Sequence, residues 1–496
     1  MTEIYFSDYF SLSPEIMEEH GAFDVSLIND LPLFVDPFLL FNSENEAYQQ
    51  LHNRIINYMR FLKEVSLAGE VPIPLLKEWF TFPEVKQNWL GFSRAGNEGR
   101  GLGMDFATVL HRNLNHVFRD FGDEVVTRSS HIEKLCLIRD GVGRDNISDF
   151  TTNLIKDYLA NYTQDFALRY LDASQRRHVA LRKVRFNYDT RSWITESFEL
   201  PYLNFKLPYP HDDFILLTPK DILTKDEAWI NRPELLDRFP EIANALPDAT
   251  LRAQVNDYLV RTIPRGPKVK RKEVREAIGR AVEHFPQVLD YYIRNKEDSG
   301  DQAVSYAKAR VREAENIFIN QVRLLVSQFL DPGGFYFLPY NTHEEARQRV
   351  IFLKDIIENK GGHKLFYVNG APLKREADLQ ILYRLTWYAT SSDVTREAND
   401  GRGPADFKVS RGVTDKTIVE FKLAKNTQLE RNLEKQCKIY EAASDTTHPS
   451  IKVILYFDDV EYNKVHRILK RLNLEDDRNI VLIDACDYNK PSGSYA

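Results

Sequence analysis

Hydrophobic and polar positions recur with two different periods along this chain, and the change of period divides it. Through the first two thirds the spacing is mainly helical. In Asn45–Val65, apolar Leu51, Ile55, Met59 and Leu62 recur every three or four residues, which predicts an amphipathic helix. Ile147–Leu171 predicts one long helix or two, with Ser148 or Asp149 as the cap. Ser305–Leu330 predicts a further amphipathic helix. Between them, the dense apolar run Leu31–Phe41, broken by a proline, reads as a buried strand or turn. Asp212–Leu223 reads as a short strand leading into a turn at Pro219. The Pro-Gly-Gly of Asp331–Asn341 cannot continue the helix before it and marks a boundary.

After that boundary the pattern shifts. Helices are predicted over Thr342–Asn359, Lys374–Ala389, Thr427–Ala443 and Asn463–Leu472. Between them lie residues with a period of two. Ala405, Phe407 and Val409 are apolar while Asp406, Lys408 and Ser410 are polar; past a turn-like Arg411–Asp415, Val419, Phe421 and Leu423 are apolar while Glu420 and Lys422 are polar. Ile451–Phe457 and Ile480–Ala485 predict two more strands. Two adjacent strands followed by helix–strand–helix–strand give an α/β layout with a mixed central sheet. The expected organisation is a large, mainly α-helical α+β region over 1–335, with room for two subdomains, and an α/β domain over 340–496.

Composition narrows the classes. A length of 496 residues asks for two or three domains. Hydrophobic content of 43% and aromatic content of 12% belong to a globular chain, which excludes wholesale disorder. A net charge of -7 excludes a generally basic nucleic-acid binder, so any such surface is local. Cys136, Cys437 and Cys486 are widely separated and form no CxxC pair. That excludes a disulfide scaffold and a cysteine zinc site and suits a reducing cytosol. The first residues carry acids where an export signal needs a basic region and an apolar run, and no apolar stretch approaches about 20 residues. A cytoplasmic protein without a membrane partner is the expectation.

The chemistry concentrates in the period-two hairpin. Glu420 and Lys422 are two apart and share one face. If Ser410 pairs with Lys416, counting back sets Asp406 opposite Glu420, whereas a slip of one residue separates them. Like charges directly across a strand pair repel, and a divalent cation between them reverses the sign. Mg²⁺ suits one or two carboxylates plus a phosphate, and a lysine two residues on could position an attacking water. The plain alternative is a solvated hairpin face. Three flanking features bear on the choice. Gly401, Gly403 and Pro404 precede Asp406 and suit a tight backbone near a phosphate. Gln436 and Tyr440 sit four apart on the next helix, and Glu376 heads the helix before the hairpin.

In this order, Glu376, Asp406, Glu420-x-Lys422 and Gln436-x-x-x-Tyr440 resemble the PD-(D/E)XK nuclease superfamily, in its RecB-like variant. The resemblance covers about the last 120–150 residues and implies a restriction-endonuclease-like fold. Ala405 stands between Pro404 and Asp406, so the literal Pro-Asp pair is absent. The resemblance implies that Asp406 and Glu420 ligate Mg²⁺ or Mn²⁺ and that Lys422 positions the water. Glu376 would assist the metal, with Glu397 as the competing auxiliary acid, while Gln436 and Tyr440 orient the nucleic acid or brace the lysine. The implied reaction is hydrolysis of a DNA phosphodiester.

Two basic runs offer local phosphate-contacting surfaces, weighed equally against a solvated loop or helix face: Arg182, Lys183 and Arg185 in the first, Lys268, Lys270, Arg271 and Lys272 in the second. The Gly-rich stretches Ser93–Phe106 and Ile138–Asp149 contain no GK[ST], which excludes a P-loop, and His111 and His116 lack the HExxH spacing. The resulting expectation is a metal-dependent DNA endonuclease with a large recognition region, in the manner of a bacterial anti-phage or restriction-type effector. It would act as a homodimer or larger oligomer, since cutting both strands takes two sites, and a partner protein could control it. The alternative is a non-catalytic nucleic-acid-binding or regulatory protein on a nuclease-like scaffold.

Overall fold

The structure, a computed structural model, describes residues 4–28, 30–91, 102–117, 121–138, 143–204, 213–225, 228–263, 271–323, 341–368, 371–372, 376–387, 392–399, 404–412, 414–436, 446 and 448–490. The boundary expected at Asp331–Asn341 lies outside them except for Asn341. Among them, no helix is long and apolar enough to cross a membrane.

The N-terminal part is mixed. Helix α1 (Glu46–Leu67) starts where Asn45 Oδ1 accepts from the Ala47 N–H, and it buries Leu51, Ile55, Met59 and Leu62 as its spacing requires. Ile147–Leu171 resolves into two helices, α2 (Arg144–Leu154) and α3 (Lys156–Tyr170). Neither Ser148 nor Asp149 caps them. The start lies at Gly143, and the Ser148 hydroxyl is buried, where it accepts from the Val35 N–H at 2.9 Å. The Leu31–Phe41 run splits at the second of its prolines, Pro37: Phe34–Val35 pairs with Leu223–Thr224, and Pro37–Phe41 turns helical with Asp36 as its cap.

A hairpin of two 12-residue strands follows, β1 (Arg176–Asn187) and β2 (Ser192–Leu203). Its first strand carries Arg182, Lys183 and Arg185, so this basic run stands on neither a loop nor a helix face. A bulge between Leu181 and Arg185 shifts the register, so the buried residues run Leu181, Val184, Phe186 and break the period of two. Lys183 lies in the bulge at φ +53°. Further helices lead to α4 (Gly300–Glu315), which passes into a π-helical turn at Asn316–Gln321.

The C-terminal part is α/β. Helix α5 (Thr342–Asn359), capped by Asn341, and helix α6 (Ala377–Leu385) precede a sheet of five strands. These are β3 (Asp393–Asn399), β4 (Pro404–Arg411), β5 (Asp415–Leu423), β6 (Ile451–Tyr456) and β7 (Ile480–Asp484), in the spatial order 7-6-5-4-3. Strands β3, β4 and β5 run antiparallel in turn, while β5, β6 and β7 are parallel. The hairpin turn is tighter than the five residues expected, since Arg411 pairs with Asp415 and Gly412 takes φ +70°.

Strand parity sorts the two faces. Phe407, Val409, Val419, Phe421, Leu423, Val453 and Leu455 pack into the main core with α5 residues Val350, Leu353 and Ile357. On the other face, Ile454 and Ala424 meet Val465, Ile468 and Leu469 of helix α7 (Asp459–Arg471), with Leu429 and Leu433. Those last two come from Leu429–Arg431, which continues as a π-helical turn over Asn432–Gln436. A polar clamp fixes α5 to the hairpin. Glu345 accepts from Arg349 Nη2 at 2.8 Å, Ser392 Oγ at 2.7 Å and Arg411 Nη2 at 2.5 Å.

The two parts share one apolar cluster, which runs from Ile4 to Ala485. Polar bonds cross at the turn Gly362–Phe366 and the residue after it: Lys225 Nζ donates to Leu365 O at 2.9 Å, and Arg310 donates to Tyr367 O.

Candidate active site

Strands β4 and β5 pair from Asp415↔Arg411 to Val419↔Phe407, with Ser410 opposite Lys416. Beyond that point the carboxylates themselves bridge the strands. Glu420 Oε1 accepts from the Asp406 N–H at 3.1 Å, and Asp406 Oδ2 accepts from the Phe421 N–H at 2.7 Å. Each side chain thus takes a backbone donor of the other strand, and the two acids face one another on the same side of the sheet.

Lys422 supplies the countercharge. Its Nζ donates to Glu420 Oε2 at 2.9 Å, to Phe421 O at 3.0 Å and to Asp406 Oδ2 at 3.4 Å. The side chains of Glu420, Lys422 and Asp406 are 2%, 12% and 17% exposed, so the charges act in a poorly screened setting. Glu376, at the N-cap of α6, closes the group: its Oε1 accepts from the Leu423 N–H at 3.1 Å. Four residues from two strands and a helix start therefore converge.

Burial, reinforced by the Asp406 carboxylate, pushes Glu420 up to about 7 against the pull of Lys422. Burial likewise raises Glu376, tempered first by Lys422. For Lys422, burial opposes the charge, but the carboxylates of Asp406 and Glu420 outweigh it and hold the ammonium above its ordinary range. Lys422 is therefore a cation at neutral pH and donates hydrogen bonds.

The donor set around Lys422 Nζ is all oxygen: two carboxylates and one carbonyl. A buried acid held near neutrality beside another acid marks a place short of positive charge. Both properties fit a hard divalent cation such as Mg²⁺ or Mn²⁺, with Asp406 and Glu420 as its ligands. Among the described residues, no group of three or more His, Cys, Asp or Glu side chains is arranged to hold a metal, so further ligands would be carbonyl, water or phosphate oxygen.

The remaining candidates divide. The backbone of Gln436 ends the π-helical turn after β5; its side chain and all of Tyr440 lie outside the described residues, as does the Glu397 side chain. Arg182 and Arg185 are exposed on β1, while Lys183 turns inward at the bulge and donates to Glu78 O at 2.7 Å. Lys268, Lys270 and the Arg271 side chain lie outside the described residues; Lys272 is exposed, with Glu276 at 3.8 Å. Sequence reasoning missed the Phe421 carbonyl and the Leu423 N–H, because backbone groups leave no trace in residue identity. It also missed Lys425, whose charge reaches Glu376 and whose Nζ lies 5.2 Å from the Phe457 ring centre. The lysine-rich end of β5, Lys422 followed by Lys425, is a signal that could have found it.

Residues 11–231 match the family described as "Domain of unknown function (DUF8370)". Residues 342–459, which include Glu376, Asp406, Glu420 and Lys422, match "Domain of unknown function (DUF8371)". No curated protein and no solved structure matches the chain.

Proposed function

We propose that the chain is a metal-dependent DNA endonuclease of the PD-(D/E)XK type, with a restriction-endonuclease-like C-terminal domain. The observation that carries this reading is the convergence of Asp406, Glu420 and Lys422, bonded to one another on a mixed sheet, with Glu376 bonded to the adjoining Leu423 N–H. The strand directions support it, with antiparallel β3–β4–β5 bearing both acids and parallel β6 and β7 beyond.

In this reading Asp406 and Glu420 hold the cation. When bound, Mg²⁺ lowers the pKa of a ligated water and offsets phosphate charge. Lys422, protonated, donates to the attacking water or to a non-bridging phosphate oxygen and so fixes the line of attack. Glu376 holds the Leu423 backbone and keeps the strand end, and with it Lys422, in place. Cutting both strands at one site takes two such centres, so a homodimer is part of the proposal. A large N-terminal region joined to a small nuclease fits, by analogy, a role in anti-phage defence under a controlling partner.

Incubating wild type and Lys422→Ala with plasmid and linear DNA in Mg²⁺, Mn²⁺ or EDTA tests the reading. Metal-dependent cutting that falls by about 10²-fold or more in the variant is expected. Equal cutting by both proteins overturns the assignment. One observation favours a second reading, a non-catalytic scaffold: Lys422 already satisfies both carboxylates as a closed ion pair. DNA binding by wild type without cutting in any metal would select it.

A further inference from the structure

Beyond the reacting groups, the same sheet face carries a groove with a one-sided charge. It holds about 460 Å³ and lies between the segment after β5 and helix α7, lined by Asn426, Thr427, Glu430, Lys464, Arg467 and Arg471 among others. Lys464, Arg467 and Arg471 stand at i, i+3 and i+7 and so form one stripe along α7. Arg467 and Arg471 are exposed. Lys464 is held by neutral acceptors, donating to Ala424 O at 2.7 Å and Asn426 O at 2.9 Å. Arg467 Nε donates to Asn463 O of its own helix. Glu430 is the single carboxylate among the described residues that line the groove, and Arg471 pairs with it at 2.8 Å.

The groove begins at Asn426, a few residues along the chain from Lys422. Glu420, Lys422 and Ala424 share a face by parity, and Ala424 packs against Val465 and Ile468 of α7. Asn426 is four positions beyond Lys422, at most about 14 Å of chain, the axial rise of about four nucleotides. Lys425 lies between them in the chain and acts electrostatically on both Glu376 and Glu461, so it is within reach of the candidate active site and of the start of α7. Cations in the last turn of a helix also complement its dipole. That accounts for Lys470 and Arg471 but not for Lys464 and Arg467, which face the groove from the helix middle.

We infer that this groove binds the sugar–phosphate backbone of one DNA strand, with Arg467 and Arg471 contacting phosphates and Lys464 fixing the Ala424–Asn426 wall. The inference rests on the nuclease reading for its ligand and adds the path by which the strand reaches Lys422. It assigns α7, rather than β1 or the helix at Lys272, as the phosphate-contacting element nearest the reaction.

The test uses the full chain carrying Lys422→Ala, in EDTA, and a fluorescein-labelled DNA duplex, with Kd read by anisotropy between 50 and 200 mM salt. Adding Arg467→Ala and Arg471→Ala is expected to weaken binding about tenfold or more and to flatten the log–log salt slope by about 2. Arg467→Lys with Arg471→Lys should restore the slope. Glu430→Gln, which removes the acid competing for Arg471, should tighten binding, a gain that misfolding cannot imitate. An unchanged Kd and slope in the double-alanine protein overturns the groove; if wild type still cuts DNA, the nuclease reading survives that result. Loss of binding in the same variant, together with a wild type that cuts in no metal, would leave the groove standing and remove the nuclease.

Discussion

Glu420 sits almost out of water beside the carboxylate of Asp406, and burial with that neighbour lifts it to about 7. The folded protein therefore holds this proton more tightly than the unfolded chain, whose glutamates titrate near about 4.3. The sign follows: the stabilising contribution is complete below the unfolded pKa and is lost as pH rises through about 7. In EDTA, wild type should lose on the order of 1–3 kcal/mol of stability between pH 5 and pH 8 that Glu420→Gln retains, measured by urea unfolding at both values. At this scale the sequence was informative where a side chain carries the chemistry. Alternation alone put Glu420 and Lys422 on one face, and the Ser410–Lys416 pairing fixed Asp406 beside them. It was silent where a backbone atom does so, at Phe421 O and Leu423 N.

Elements were legible where apolar residues recurred with a period or ran together in a short stretch. Helices α1, α5 and α7 follow helical spacing, while β5 and β6 are buried over consecutive residues and read as strands from their apolar runs. Strand β3 did not, because Asp393–Asn399 is polar along most of its length, as suits the edge of a sheet. Strand β1 was missed because its bulge shifts the buried set by one residue. The clamp at Glu345 was equally hidden, since its members come from α5, β4 and the segment before β3. Removing its centre leaves Arg349, 5% exposed, and Arg411 without that carboxylate. Glu345→Ala should therefore cost about 3–5 kcal/mol, read as a fall in the unfolding midpoint. Glu345→Gln, which keeps an acceptor, should cost less.

For the whole molecule, one apolar cluster from Ile4 to Ala485 draws residues from both parts. Periodicity shows which face of an element is buried but not which partner covers it. The crossing bonds meet at Leu365 and Tyr367, where Lys225 and α4 residue Arg310 hold the turn that follows α5. Lys225→Ala combined with Arg310→Ala should uncouple the parts and split a single calorimetric transition into two. One transition in the double variant would show that apolar packing alone unites them.

The ammonium between Asp406 and Glu420 has a bearing on how the protein is made. A chain that needs a divalent ion to quiet two buried acids can mature only where that ion is at hand, as zinc-nucleated domains do. Here a countercharge for one of the two acids is encoded two residues along the same strand, so the hairpin carries part of that compensation itself. On the proposed reading, a cation would then meet a site whose acids are already held in place by the hairpin.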